Sequence, residues 1–201
     1  MDTTPENAAQ DFLSEWSKFH FNRCPTGWML RKDSATPWVR FHALPQSKRY
    51  AENEAEAAII LSRANAIGDR LLGKRGPCWQ VRSLAVWDGH QPEATALGDF
   101  AGEFVESENP YEGLFEKSDD PHETTWRFYV RQVEWSTGAF DAELTSIAND
   151  EIADLIWISR ENGAIFAPYD GGFDLFPETF KEAEALKAEH PEWLSSHPGG
   201  L

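Results

Sequence analysis

The chain has 201 residues and a formal charge of −16, from 34 Asp and Glu against 18 Lys and Arg. This length is typical of one domain, and 41% hydrophobic residues with nine Trp exclude a disordered acidic chain because they can form a packed core. No apolar run approaches the roughly 20 residues that cross a bilayer, and the amino-terminal segment lacks the pattern of a signal peptide. We therefore expect a cytoplasmic protein with no membrane contact, in which Cys24 and Cys78 are reduced thiols.

The charge is unevenly distributed along the chain. Residues 1–82 contain twelve Lys and Arg against nine Asp and Glu, whereas residues 83–201 contain six against 25. Eleven of these acidic residues lie in segment 88–123, where Lys117 is the one base. Because nucleic-acid binding needs cations that neutralise phosphates, this distribution predicts no nucleic-acid partner.

In the first part of the chain, apolar periodicity and turn-forming residues define five segments. Apolar residues at spacings of three and four after a capping residue predict helices, and alternating apolar residues predict strands. The alternation of the last strand changes phase near Ser83, which predicts a β-bulge. In chain order we predict a helix over 5–18, a loop over 22–36 with at most a short strand at 28–30, a strand over 38–44, a helix between Asn53 and Gly73, and a strand over 79–87.

The remaining segments complete an α+β fold class. They combine strands that follow one another closely with short helices, which favours antiparallel pairing. We predict a single domain over 1–201, with one twisted, mostly antiparallel sheet on which one long helix and the terminal helices pack. Trp38, Trp135 and Trp157 lie opposite the clearer apolar faces, where they line a groove or are covered by a helix. In chain order the segments are loops and short strands over 88–123, a central strand over 124–135, a helix over 140–150, a hairpin of 155–159 with 164–169, and a last helix from Thr179 to Pro191.

Familiar catalytic motifs are absent from the sequence. It contains no P-loop, no GxGxxG after a strand, no GxSxG, no HExxH and no zinc-type spacing of Cys and His. The sequence therefore predicts no cofactor, no metal and no catalytic residue, and it favours a protein that is not an enzyme.

One candidate site follows the predicted strand over residues 38–44. Its side chains combine cations with hydrogen-bonding groups at a strand-to-helix junction, where free amides and cations favour a bound anion. The structural alternative is that Arg40 pairs with a carboxylate of the acidic half, that His42 bonds a backbone carbonyl, and that Ser47 organises the turn. The candidate anion site comprises Arg40, His42, Ser47, Lys48 and Arg49.

A second candidate site is the turn that contains Tyr169, Asp170 and Asp174. Gly171 and Gly172 permit a tight approach of the backbone, and two carboxylates near such a turn can bind a cation or act as acid and base. The structural alternative is a turn that reverses the chain, with its carboxylate bonded to nearby amides.

This second segment resembles a signature of a bacterial family, domain of unknown function 3885. The signature is a strand that ends in Tyr-Asp-Asp-Arg-Gly, followed by one residue, Asp and an aliphatic residue. Tyr169, Asp170 and Asp174 match it, whereas Gly171 and Gly172 replace its second Asp and its Arg. Segment 40–50 also resembles a motif of longer members of the group. The family has no established activity, so the resemblance implies no reaction.

The leading functional hypothesis is a non-enzymatic protein-binding module, similar to immunity or antitoxin proteins. Negative charge would speed the capture of a basic partner, and exposed aromatic residues would anchor it. The alternative for most of these carboxylates is that they maintain solubility. The predicted acidic patch comprises Glu103, Glu106, Glu108 and Glu112.

The rival hypothesis is a small-molecule or phospho-ligand binding protein, or an enzyme. In it, cations of the candidate anion site hold an anionic ligand while Asp170 or Asp174 acts as base. It requires the two candidate segments to converge across the sheet. The cations concerned are Arg40, His42, Lys48 and Arg49.

Overall fold

The computed structural model describes residues 8–20, 23–86, 100, 102–105 and 125–195. In these parts of the chain, five α-helices and seven β-strands alternate with short 3-10 turns. They are, in order, α1 (Ala8–His20), α2 (Gly27–Leu30), β1 (Val39–His42), α3 (Glu54–Leu72), β2 (Pro77–Val86), β3 (Glu103–Val105), β4 (Thr125–Glu134), α4 (Asp141–Ala148), β5 (Leu155–Ser159), β6 (Ile165–Tyr169), β7 (Gly172–Phe176) and α5 (Phe180–Glu189).

The seven strands form one sheet in the order β1-β7-β6-β5-β2-β4-β3. Every neighbouring pair is antiparallel, so the predicted α+β class with a single antiparallel sheet is confirmed. Strand β4 pairs with β2 on one side and with the short edge strand β3 on the other. At the opposite edge, Leu194 forms an isolated antiparallel bridge with Phe41 of β1.

Helices α3, α4 and α5 cover one face of the sheet, called the first face below. Trp135 and Trp157 are fully buried there, so a helix covers them and they do not line a groove. Gly68 of α3 is needed at this contact, because a Cβ at that position would overlap the Trp135 ring. The Trp135 indole nitrogen donates to Asp69 Oδ1 at 3.0 Å, which satisfies its polar group.

Helices α1 and α2 pack against the opposite, second face, beneath which lie apolar residues of β2, β5 and β6. Glu15 fixes α1 there: Trp79 Nε1 donates to its Oε2 at 2.6 Å, and Arg160 Nη2 donates to its Oε1 at 2.6 Å. At the end of the helix, His20 Nε2 donates to the Gly163 carbonyl at 2.7 Å. Buried and partly buried polar contacts therefore secure α1 alongside the apolar ones.

Two predictions from the sequence are wrong, namely the short strand at residues 28–30 and the β-bulge near Ser83. Segment 28–30 is part of the short helix α2 and not a strand. Strand β2 pairs residue by residue with β4 along its whole length, so no bulge occurs at Ser83. The phase change arises because both faces of this interior strand are covered, and buried polar residues such as Gln80 occupy positions that alternation assigns to solvent.

Other expectations are confirmed or lie outside the described residues. The side chain of Asn53 caps α3 by accepting from the Glu56 amide at 3.0 Å, and Gly73 ends that helix with φ 86°. The start of the first helix, Trp87 and most of segment 88–123 lie outside the described residues.

Both cysteines are free and buried, and burial raises the pKa of the Cys24 and Cys78 thiols to about 12. A search of the described helices finds none with the length and apolar composition needed to cross a bilayer.

Candidate functional site

The two candidate segments meet because β1 and β7 are neighbours, with Arg40 directly opposite Asp174. Arg40 Nε donates to Asp174 Oδ1 at 2.8 Å and Arg40 Nη2 donates to Oδ2 at 2.7 Å. Trp38 Nε1 adds a third bond to Oδ1 at 2.8 Å. The two charged side chains are only 13% and 6% exposed, so each charge depends on the other for compensation.

A second contact joins the segments at the turn between β6 and β7. Arg49 Nε and the Tyr50 hydroxyl both donate to Asp170 Oδ2, at 2.6 and 2.8 Å. The hydrogen bond to Asp170 raises the pKa of Arg49 and of Tyr50. Gly172 permits the close approach of β7 to β1, since a Cβ there would overlap the carbonyl oxygen of Phe41. Two cations of the first candidate segment, Arg40 and Arg49, are therefore joined by hydrogen bonds to the two carboxylates of the second, Asp174 and Asp170.

The remaining members of the candidate anion site, Lys48, Ser47 and His42, form no hydrogen bond to Asp170 or Asp174. Lys48 donates to both carboxylate oxygens of Glu56 at 2.7 Å, and its ammonium lies 3.1 Å from Glu52. Ser47 is exposed, with a left-handed backbone at φ 57°. His42 Nε2 is buried without a hydrogen-bond partner. Burial and then the charges of Arg40 and Arg63 lower the pKa of His42.

Each of the three permanently charged members of this site is therefore held by a carboxylate. An anion would have to compete with Asp174 for Arg40, with Glu56 for Lys48 and with Asp170 for Arg49. The anion site stays a prediction.

A cleft of about 250 Å3 opens on the second face, between α2 and the loop that precedes β5. The Arg40–Asp174 pair lies in its wall, and Tyr169 lies beside that pair with its ring centroid 4.5 Å from the Arg40 guanidinium carbon. Burial raises the pKa of Tyr169 to about 12, although the charge of Arg40 opposes this. At neutral pH Tyr169 is thus a neutral phenol in the cleft wall.

The cleft also contains Arg31 and Asp154, which sequence reasoning missed. Arg31 ends the unpredicted helix α2. Asp154 has a left-handed backbone at φ 53°, a conformation that Asp tolerates better than most residues. The loop is held to β2, because the Ser83 amide donates to the Asp154 carbonyl at 2.9 Å and Arg82 donates to the Ala153 carbonyl. Burial raises the pKa of the Asp154 carboxyl, and the nearby charge of Arg82 opposes that rise.

The predicted acidic patch is only partly visible. Glu103 lies in β3, where its backbone pairs with Val130 of β4. Glu106, Glu108 and Glu112 lie outside the described residues. Within the described ranges, no group of three or more His, Cys, Asp or Glu side chains is placed to hold a metal ion.

Comparison with known proteins gives one match. The family model for a domain of unknown function, DUF3885, matches residues 26–198, which include both candidate segments and the cleft. Neither the curated proteins nor the solved structures provide a match.

Proposed function

The chain belongs to the DUF3885 family, and we propose that it is a non-enzymatic protein-binding module of the immunity or antitoxin kind, which binds a basic protein. The main support for the proposal is that the cations of the candidate anion site form ion pairs within the chain. Arg40, Lys48 and Arg49 are each held by a carboxylate of the same chain. The cations that would attract an anionic ligand are thereby neutralised.

The overall charge supports a cationic partner. With 34 acidic and 18 basic residues, at least 16 carboxylates have no Lys or Arg of this chain for one-to-one pairing. Such an excess of negative charge accelerates encounter with a basic protein and disfavours acidic ones. We place the contact in the most acidic segment, at the patch that begins with Glu103.

Catalysis by the candidate segments has weaker support. Three donors from Arg40 and Trp38 occupy both carboxylate oxygens of Asp174, and two side chains bond Asp170. His42 does not line the cleft. These contacts suit a structural role for the signature turn better than the role of a base.

The test is surface plasmon resonance between the purified chain and the basic proteins encoded next to its gene. We expect binding that weakens by about tenfold or more between roughly 50 and 300 mM NaCl, because salt screens exposed charges. A variant with the four patch glutamates changed to glutamine should associate more slowly. The matched control removes the same charge from exposed described positions by the changes Glu54→Gln, Glu151→Gln, Glu161→Gln and Glu178→Gln.

Two results would contradict the proposal at different levels. Equal loss of association in the patch variant and the control would show that net charge acts without a defined patch. Failure of every neighbouring basic protein to bind at low salt would reject the protein-binding function itself.

A further inference from the structure

Some charged side chains that line the cleft on the second face form no direct ion pair with another residue that the structure describes. Asp174 is neutralised by Arg40, and Asp170 by Arg49. In contrast, neither the guanidinium of Arg31 nor the carboxylate of Asp154 has a direct hydrogen bond or ion pair within the described residues, although the charge of Arg82 lies near Asp154. The cleft therefore presents one cation and one carboxylate that are both available to a ligand.

A second free carboxylate lies in the cleft wall. Asp150 is exposed, has a left-handed backbone at φ 62°, and makes no direct ion pair within the described part of the chain, although its charge acts on Arg49. An anionic ligand would meet two carboxylates, and a purely cationic ligand would meet Arg31. The charge pattern of one cation with two carboxylates is complementary to a ligand with one carboxylate and two cations.

Part of the cleft wall is apolar and suits an aliphatic chain. Ile152, Ile156, Ala167 and Pro168 contribute apolar surface to it. Its volume of about 250 Å3 is below the range of about 300–1,000 Å3 that is usual for drug-sized ligands. The site therefore fits a compact molecule with charged groups at its ends and methylene groups between them.

We propose that this cleft binds a free basic α-amino acid of the lysine or arginine type. Arg31 pairs with the α-carboxylate, since guanidinium and carboxylate form strong charge-assisted hydrogen bonds. Asp154 and Asp150 take the two cationic groups, and the apolar wall contacts the methylene chain. Binding also gives the half-buried Asp154 carboxylate a direct hydrogen-bond partner, in addition to the nearby charge of Arg82. This site is separate from the acidic patch that is proposed to bind protein.

The test is isothermal titration calorimetry of the full chain with L-lysine and L-arginine. We expect saturable binding of at least one of them. Cadaverine, which is lysine without its carboxylate, should bind at least about tenfold more weakly because Arg31 loses its partner. Nα-acetyl-L-lysine, which represents a lysine at the end of a peptide, should also bind more weakly because one cation is removed.

Two variants test the residues. Arg31→Ala and Asp154→Asn should each weaken the binding of L-lysine or L-arginine by about tenfold or more. Asparagine tolerates the left-handed backbone of position 154, so this variant retains the loop. The matched controls are Lys181→Ala and Glu151→Gln, which remove the same charges at exposed positions outside the cleft and should leave affinity unchanged.

Three results would overturn the inference. They are no saturable binding of either amino acid at about 10 mM, equal affinity in the cleft variants and their controls, and Nα-acetyl-L-lysine that binds as tightly as L-lysine. The last result would reassign the cleft to the carboxyl-terminal residue of a peptide. None of them bears on the acidic patch, whose variants leave the cleft intact.

Discussion

The two faces of the sheet are built from different chemistry. The first face, under α3, α4 and α5, is packed with aromatic rings, among which Trp135 lies 5.8 Å from Trp157 and 5.6 Å from Phe166 between ring centroids. The second face, under α1 and α2, combines apolar residues with His20, the Arg40–Asp174 pair and the charged cleft. We expect the aromatic packing of the first face to contribute more to stability, and the buried titratable groups of the second face to give the protein its pH dependence.

The largest loss of stability is expected from Trp135→Ala on the first face. Trp135 is fully buried, and removing such a ring costs about 3–5 kcal/mol through lost burial and the cavity left behind. Urea unfolding measures the change. Ile59→Ala, at a position of α3 that is 38% exposed, serves as the control and should stay within about 0.5 kcal/mol of the wild type. A loss below about 1 kcal/mol for Trp135→Ala would contradict the assignment of stability to the first face.

On the second face, Asp174→Ala should cost about 3 kcal/mol of unfolding free energy, because Arg40 is left buried without its counter-charge. The double variant Arg40→Leu with Asp174→Leu should recover most of that loss, since no uncompensated charge remains. Breaking the half-exposed Arg70–Glu189 pair as a control should change stability by no more than about 1 kcal/mol. Urea unfolding that ranks the double variant below Asp174→Ala would show that the ion pair itself stabilises this edge.

The smallest effect is a pH dependence from His20. Burial lowers the pKa of His20 to about 4, whereas an imidazole in the unfolded chain has a pKa near 6.5. Between these values the unfolded chain binds the proton and the folded chain does not. Stability is therefore complete above about pH 6.5 and falls as the pH is lowered toward 4, with a loss of roughly 2 kcal/mol by pH 5.

Urea unfolding at about pH 7.5, 6 and 5 measures this slope. His20→Gln should reduce it, while Lys18→Gln, at an exposed position of the same helix, should retain it. Burial also lowers the pKa of His42, so part of the slope should remain in the His20 variant. An unchanged slope in His20→Gln would remove His20 as the source of pH sensitivity.

Elements with strong local signals were predictable from the sequence. Helix α3 begins at a capping Asn53 and ends at Gly73, and its apolar spacing is regular, so neighbouring residues alone specify it. The alternation of β1 likewise placed Arg40 and His42 on one face. The two candidate segments converge through the β1–β7 pairing, which no local sequence pattern encodes.

The features that sequence reasoning missed depend on tertiary contacts. Helix α2 has four residues, too few to show a helical period, so the sequence predicts a loop there with at most a short strand at 28–30. Because α2 was not predicted, the sequence did not indicate that Arg31, which ends this helix, lines the cleft. Asp154 comes from a loop whose conformation is held by Arg82 and Ser83 of β2, far away in the sequence.

The bridge between Leu194 and Phe41 has a practical consequence for handling the protein. Strand β1 is at the border of the sheet, where unpaired backbone groups can recruit a strand from another molecule. Leu194 occupies part of that border. Truncated forms that end before Leu194 would expose the edge of β1 and favour aggregation. Deletions and fusion tags should therefore leave the chain intact up to Leu194.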